Sequence, residues 1–352
     1  MSTLYTRSLA EAVSTPAEFN QADPLARADT DMKFVLDALA NLEGRPIEQC
    51  SAREARRQPL PSTAVAKLLA NQDKDPRDDQ GVDSETVVIP GPAGEIPARI
   101  YRSRNQDADT TPAILLYVHG GGWVISDLDS QDAIPRALAR KTGAIVVSTH
   151  YRQAPEHKFP AAHEDTYAAW LWMIENAVEL GGDPARAAVA GEGVGGNMAA
   201  NIALQARDEM VVQPVHVVLI CPLAGNDAAL PSYTETIGAR PLSPALLRWF
   251  KRQAFQTKAD GADRRIALAG RDDLKGLPPT TLILAEIDPL RSEGEALGQA
   301  LQDAGVWVDM TTYHGVTHEF FGLGQFVNKA MFAQTQVANN LVEAFTSRNQ
   351  KI

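Results

Sequence analysis

The sequence has 352 residues and only two cysteines, Cys50 and Cys221, which lie far apart in the chain. Neither belongs to a CxxC pair or to a Cys/His cluster with metal-ligand spacing, so the sequence predicts neither a zinc site nor a disulfide framework. Such sparing use of cysteine favours a reducing compartment. We therefore expect no metal ion, no cofactor and a cytoplasmic location.

Long apolar runs are also missing. No stretch approaches the roughly 20 apolar residues that a membrane-spanning helix needs. The N-terminal stretch MSTLYTRSLAEAVSTPAEFN has no continuous apolar segment of the kind that a signal peptide requires. The sequence therefore predicts a protein that neither spans a membrane nor is exported.

Positive charge is in deficit, since 33 Lys and Arg stand against 44 Asp and Glu, for a formal net charge of -11. No basic face is expected that could neutralise phosphates or anionic lipid headgroups, so nucleic acid and membrane surfaces are poor candidate partners. Neutral small molecules fit this balance better. With 44% hydrophobic residues, the chain can still bury a large core.

Short apolar runs alternate with helical stretches through most of the chain. In order, the runs are AILLYV, AIVVST, AAVAG, HVVLI, TTLILA and VWVDMTT. This alternation is typical of an α/β protein with a mostly parallel sheet and helices on both faces. Ahead of the runs, ETVVI and IPARIYR flank the turn residues PGPAGE, which predicts a β-hairpin.

Two segments do not follow this rhythm. Residues 1–80 contain the helical patterns 31–42 and 61–72 and end in a charged linker, which predicts an N-terminal helical segment. Residues 81–352 then form the α/β core. Within the core, residues 227–273 are helical without a strand, so we interpret them as an insertion above the C-terminal edge of the sheet.

The stretch AVAGEGVGGNMAAN is built like a turn that presents a catalytic serine, yet it contains no serine. Gly191 and Gly195 have the spacing of a G-x-S-x-G nucleophile elbow, and Gly193 stands in the middle, where the nucleophile is expected. The side chain of Glu192 points away from a residue displayed at the tip of such a corner. No nearby Ser, Thr or Cys fills the position.

Three further loops follow apolar runs, and in an open α/β sheet such loops form the ligand site. HGGGW contains consecutive glycines, which either form a plain turn or direct backbone N–H groups at an oxyanion. Asp288 lies in IDPL, where it either starts an Asp-Pro turn or orients a histidine.

His318 lies in GVTHEFF, after the final apolar run. His157, His163 and His314 are instead interpreted as packing or surface residues. The order of the nucleophile position, Asp288 and His318 is that of α/β-hydrolases.

These motifs together resemble the hormone-sensitive-lipase-like family of α/β-hydrolase esterases. The resemblance rests on HGGGW, YRQAPEHKFPAAHED, GEGVGGN, LPPTTLILAEIDPLRSEGE and GVTHEFFG, and it extends from about Pro90 to Gly322. It implies the α/β-hydrolase fold with a helical cap, made by the N-terminal helices and the insertion, that shapes an acyl pocket. It also implies hydrolysis of small or short-acyl carboxylic esters through a Ser-His-Asp acyl-enzyme mechanism.

The resemblance also implies roles for individual residues. The N–H groups of Gly121, Gly122 and Val194 would form the oxyanion hole. His318 would be the general base, and Asp288 would be the acid that orients it.

One departure from the family is at Gly193, where the family has serine. Because glycine has no side chain that could attack a carbonyl, we expect this chain to be inactive or severely impaired. One alternative is a non-catalytic small-molecule binding protein on a hydrolase scaffold, as the plant gibberellin receptors of the same family are. Another is slow hydrolysis by a water that His318 activates directly. The sequence leaves open whether the chain forms a homodimer.

Overall fold

The computed structural model describes residues 23–75, 81–106 and 110–347. The predictions for the first 20 residues and for the end of the charged linker lie outside these ranges. Among the helices that are described, none combines the length and the apolar character needed to cross a bilayer.

The described residues contain eight strands in one sheet. They are β1 (Val82–Gly91), β2 (Gly94–Ser103), β3 (Ala113–Val118), β4 (Ile145–Thr149), β5 (Asp183–Glu192), β6 (Val217–Ile220), β7 (Thr280–Ile287) and β8 (Val308–Thr317). Their order across the sheet is β1-β2-β4-β3-β5-β6-β7-β8. The β1–β2 hairpin and the β2–β4 pair are antiparallel, and every other pair is parallel. The predicted hairpin and the mostly parallel sheet are confirmed.

Helices cover both faces of the sheet. They are α1 (Thr30–Ala40), α2 (Ala52–Ala55), α3 (Pro61–Ala70), α4 (Ala133–Thr142), α5 (Ala161–Glu175), α6 (Val194–Asp208), α7 (Pro231–Glu235), α8 (Pro244–Ala254), α9 (Arg291–Asp303) and α10 (Asn328–Ser347). Along β3, Ile114 and Leu116 join a core with α5, α6 and α9, whereas Leu115 and Tyr117 join a second core with α4 and α10. A strand buried on both faces needs a continuous apolar run, and AILLYV supplies one.

The N-terminal segment is attached to the core by specific polar contacts. The Asp29 N–H donates to the carbonyl of Gly315 over 2.8 Å. The Arg56 guanidinium donates to the carbonyl of Val124 over 2.8 Å and forms an ion pair with Glu156 at 2.6 Å. Helix α1 buries Met32, as its amphipathic pattern predicts. Between β6 and β7, the described chain forms helices α7 and α8 and no strand.

The corner between β5 and α6 is set by close backbone approach. A Cβ atom on Gly195 would collide with the carbonyl of Val118 at the end of β3, and one on Gly191 would collide with the carbonyl of Gly195. Gly193 caps the N-terminus of α6 with φ 56° and ψ -118°, a conformation that side-chain-bearing residues rarely adopt. Gly191 and Gly195 are therefore steric requirements of this corner, whereas Gly193 is favoured by its backbone conformation.

We predict that Gly195→Ala lowers the free energy of unfolding by about 3 kcal/mol or more, because backbone rather than a movable side chain blocks the new methyl group. Gly270→Ala is the matched control, since a Cβ there has no neighbour within 4 Å, and its effect should stay within about 0.5 kcal/mol. Urea unfolding of the three proteins measures the difference. Equal stability of the two variants would contradict the packing argument.

Candidate active site

The loops after β7 and β8 bring Asp288 and His318 together at the carboxyl edge of the sheet. His318 Nδ1 lies 2.7 Å from Asp288 Oδ2, and the two residues are only 7% and 1% exposed. The other carboxylate oxygen accepts the N–H of Leu290 over 2.8 Å. With both oxygens engaged, the carboxylate is fixed in place, and Nε2 of the imidazole is the ring nitrogen left to face the site.

Burial and the carboxylate of Asp288 act in opposite directions on the pKa of His318. Burial, the largest single influence, lowers this pKa, but the charge and hydrogen bond of Asp288 together with the charges of two nearby acids outweigh burial and raise the pKa to about 9. The acids Glu319 and Glu192 add to the rise. At neutral pH the imidazole is therefore held protonated beside Asp288, and Nε2 becomes basic only as the pH increases.

Gly193 faces the free nitrogen of this imidazole. A Cβ atom on Gly193 would lie 3.4 Å from His318 Nε2 and 3.6 Å from Cε1. Apart from the chain neighbours of Gly193, no other heavy atom of the described residues comes within 4 Å of that point. The tip of the corner thus lies opposite Nε2.

The HGGGW loop lies on the same side of the sheet. Gly121 and Gly122 have φ angles of 93° and 60°, and a Cβ on Gly122 would collide with the ring of Phe250 in α8. The N–H groups of Gly121, Gly122 and Val194 donate to no acceptor within the described ranges. Three backbone donors from residues that line one cavity are therefore available to a ligand.

The HGGGW loop is held by polar side chains whose contacts were not predicted from the sequence. The Tyr151 hydroxyl donates to the carbonyl of Gly120 over 2.8 Å, and the Gln153 amide donates to the carbonyl of Ile125 over 2.9 Å. Both side chains come from the motif YRQAPEHKFPAAHED. The motif supported the family resemblance, but it gave no separate sign of what these side chains contact.

His163 and His314 have packing and surface surroundings, as predicted. His163 is buried, and its Nε2 lies 2.9 Å from the Asn197 side-chain oxygen. The side chain of His314 is 78% exposed.

A cavity of about 720 Å³ opens over these groups. Five of the residues described above line its floor, namely Gly121, Gly122, Gly193, Val194 and His318. Its walls come from two parts of the chain, one within residues 36–61 of the N-terminal segment and one within residues 223–250 between β6 and β7. Many of the wall residues are apolar, among them Leu36, Leu39, Ile47, Leu60, Leu223, Leu246 and Phe250.

Two further acids, Glu192 and Glu319, act electrostatically on His318. Glu192 is buried, and one of its carboxylate oxygens has no hydrogen-bond partner among the described residues. Burial, reinforced by the charge of Glu319, raises the pKa of Glu192 to about 8. Glu192 is therefore neutral at pH 7, which keeps a second buried negative charge away from the Asp288–His318 pair.

Within the described residues, one group of His, Cys and acidic side chains is close enough together to be considered as metal ligands. It consists of Cys221, Asp288 and His318, whose ligand atoms lie within 4.8 Å of one another. Metal binding requires a thiolate, but burial and the neighbouring carboxylates raise the pKa of the Cys221 thiol well above its ordinary value. The Asp288 oxygen and the His318 nitrogen are also already hydrogen-bonded, so these donors suit a hydrogen-bonded cluster better than a metal ion. Cys50 and Cys221 are both buried free thiols.

The sequence matches a model of a family described by its α/β-hydrolase fold over residues 115–322, which is more than half of the chain. It is 40% identical over 250 residues to the carboxylic ester hydrolase LipN of Mycobacterium tuberculosis, covering 69% of this chain and 66% of that protein. It is 34% identical over 286 residues to an ethyl acetate hydrolase of Pseudomonas putida, covering 81% of this chain and 88% of that protein.

Solved structures give the same result. An esterase from Pyrobaculum calidifontis superposes with a TM-score of 0.78 at 34% identity, covering 90% of this chain and 98% of that one. A thermostable esterase from Pseudomonas putida superposes with a TM-score of 0.81 at 29% identity, covering 91% and 98%. The predicted fold class is confirmed.

We predict that Glu192→Gln stabilises the protein above about pH 5. The folded-state pKa of Glu192 is raised, so its contribution to stability is complete below its unfolded-state pKa and is lost as the pH rises toward 8. Glutamine resembles the neutral acid and avoids this loss, which is on the order of 4 kcal/mol at pH 8. Urea unfolding of the original chain and the variant at pH 4.5 and pH 8 measures the difference in stability.

Glu95→Gln is the control for this prediction, because Glu95 is exposed. Its effect on stability should be the same at both pH values. If Glu192→Gln also gives a pH-independent difference, Glu192 is not held neutral in the folded protein.

Proposed function

We propose a function in carboxylic ester chemistry for this chain, which belongs to the α/β-hydrolase fold family. One observation carries the proposal: the hydrogen-bonded Asp288–His318 pair directs Nε2 at the tip of the glycine corner, on the floor of a cavity with free N–H donors. That arrangement has the parts that acyl transfer needs, namely a base, an orienting acid and donors for an oxyanion.

In the proposed mechanism the ester carbonyl binds against the glycine loop. The N–H groups of Gly121, Gly122 and Val194 stabilise the negative charge that develops on the carbonyl oxygen. His318 takes a proton from the attacking nucleophile and delivers it to the leaving alcohol. Asp288 keeps the imidazole in the required orientation and stabilises its protonated form.

Gly193 is proposed to stand at the nucleophile position. Its place at the tip of the β5–α6 corner and its distance to Nε2 support this assignment. The parent reaction is then hydrolysis through a serine acyl-enzyme, and this chain lacks the group that would be acylated. We propose that its turnover of esters is severely impaired.

The substrate proposed is a small or short-acyl neutral ester. The cavity walls are largely apolar, and the name of the Pseudomonas putida relative specifies ethyl acetate. The N-terminal segment within residues 1–80 and the insertion at about 227–273 are proposed to form the cap over this cavity. A cytoplasmic location stays a prediction of the sequence, which leaves open whether the chain forms a homodimer.

The second candidate is a non-catalytic binding protein for small molecules on the same scaffold. The combination of a cavity of about 720 Å³ with a glycine at the nucleophile position favours it. The buried Asp288–His318 pair favours the enzyme, since binding an ester does not require a base that is fixed by a carboxylate. Two results together would favour the binding protein. Calorimetry would show that the chain binds a short-chain ester, and the serine variant described next would show no activity.

We predict that Gly193→Ser increases the hydrolysis of p-nitrophenyl butyrate by at least about a thousandfold, the scale on which loss of a triad member acts. A fluorophosphonate probe should label the variant at residue 193 and leave the original chain unlabelled. The double variant with His318→Ala is the control and should lose the gain. Equal rates for the original chain and the serine variant would remove Gly193 from the nucleophile position.

The serine variant should also show a distinctive pH dependence. Because the charge of Asp288, helped by Glu319 and Glu192, raises the pKa of His318 to about 9, the basic form of the imidazole is scarce at pH 7. We expect kcat/KM to rise roughly tenfold per pH unit between pH 7 and pH 8 and to level off near pH 9. A Glu192→Gln change in this background should leave the rise in place. A rate that is already maximal at pH 7 would show that His318 is not held protonated.

A further inference from the structure

The region in front of His318 Nε2 is suited to a small molecule. A methyl carbon added to Gly193 would be 3.4 Å from Nε2, and the His318 ring supplies the only atoms within 4 Å of that point among the described residues, chain neighbours aside. The same region opens into the cavity that Gly121 and Gly122 line. A molecule the size of water or methanol can therefore approach Nε2 from the cavity.

We propose that this chain transfers the acyl group of a bound ester directly to a small external hydroxyl nucleophile, water or methanol, without an acyl-enzyme. The proposal rests on the proposed ester function and goes beyond it, because it assigns a reaction to the chain that carries glycine. His318 acts as the base in a single displacement, in the unprotonated form that becomes available as the pH rises toward 9.

The steps balance without any further reactant. The nucleophile oxygen forms a bond to the carbonyl carbon while its proton passes to His318 Nε2, and the carbonyl oxygen becomes an oxyanion held by the backbone donors. The bond from that carbon to the leaving alkoxide then breaks, and the alkoxide takes the proton from Nε2. Water gives a carboxylic acid and an alcohol, whereas methanol gives a methyl ester and the alcohol.

The β5–α6 corner limits the size of the external nucleophile. Gly193 lies below the region and the imidazole lies beside it, so a nucleophile must fit between a Cα atom and a ring. An alanine methyl group at residue 193 would occupy the same point. The reaction should therefore be lost in Gly193→Ala, although this change removes no functional group.

The expected rate of ester turnover by the original chain lies between the rates of its His318→Ala and Gly193→Ser variants. General base catalysis by a positioned imidazole contributes about 10²–10⁴-fold, so the chain should exceed its His318→Ala variant by at least about tenfold. It stays far below the serine variant, because a nucleophile drawn from solution lacks the high effective molarity of one attached to the protein.

The test uses the full chain with p-nitrophenyl butyrate in buffer and in buffer with methanol, and NMR quantifies butyrate and methyl butyrate. We expect turnover with both products, a methyl ester fraction that grows with methanol concentration, and at least about a tenfold loss in His318→Ala and in Gly193→Ala. His314→Ala, which removes an exposed histidine four residues away, is the matched control and should be unaffected. Asp288→Asn gives a second loss variant should Gly193→Ala not fold.

Intact-mass spectrometry of the acid-quenched reaction distinguishes the routes. The original chain should carry no butyryl group, whereas the serine variant should carry one. A butyryl group on His318, or equal rates for the original chain and His318→Ala, would overturn the direct displacement while leaving the ester function in place if the serine variant is active. An inactive serine variant would instead overturn the proposed function.

Discussion

The architecture of the site depends on one steric constraint, the close contact between the β5–α6 corner and the end of β3. Gly195 lies against the carbonyl of Val118, so the corner can form only where no Cβ intervenes. This contact places the N-terminus of α6 beside the HGGGW loop and turns Gly193 toward His318. A wider corner would separate the free N–H donors from the imidazole, and no side-chain substitution elsewhere could restore their proximity.

Electrostatics adds a second constraint. Burying an aspartate beside a histidine costs solvation that their mutual contact and the Leu290 N–H must offset, and such pairs are often no more stabilising than apolar packing. Here the pair is buried at 1% and 7% exposure, while Glu192 is held neutral nearby. The fold could be more stable with apolar residues at these positions. The pair is better understood as part of a chemical site than as a support of the core.

Much of this could be predicted from the sequence, because the signals were local. The apolar runs of the parallel strands mark their own burial, and Asp288 and His318 follow two such runs, so topology brings them together. The contacts of Tyr151, Gln153 and Arg56 were not predictable in this way. Each depends on one polar side chain that reaches a backbone carbonyl distant in sequence, and a single polar residue carries no periodicity that could indicate its partner.

The conformation of Gly193 explains how such a chain can keep the rest of the site. With φ 56° and ψ -118°, this residue occupies a region in which a side chain costs on the order of 1–3 kcal/mol. Glycine avoids that strain, and this offsets its own entropic cost of roughly 0.5–1 kcal/mol and the loss of a hydroxyl hydrogen bond worth about 1 kcal/mol. The stability of the fold therefore differs little between glycine and serine at residue 193. Because the chemistry at residue 193 is separable from folding, the cavity, the donors and the base can all persist in a chain that has no attached nucleophile.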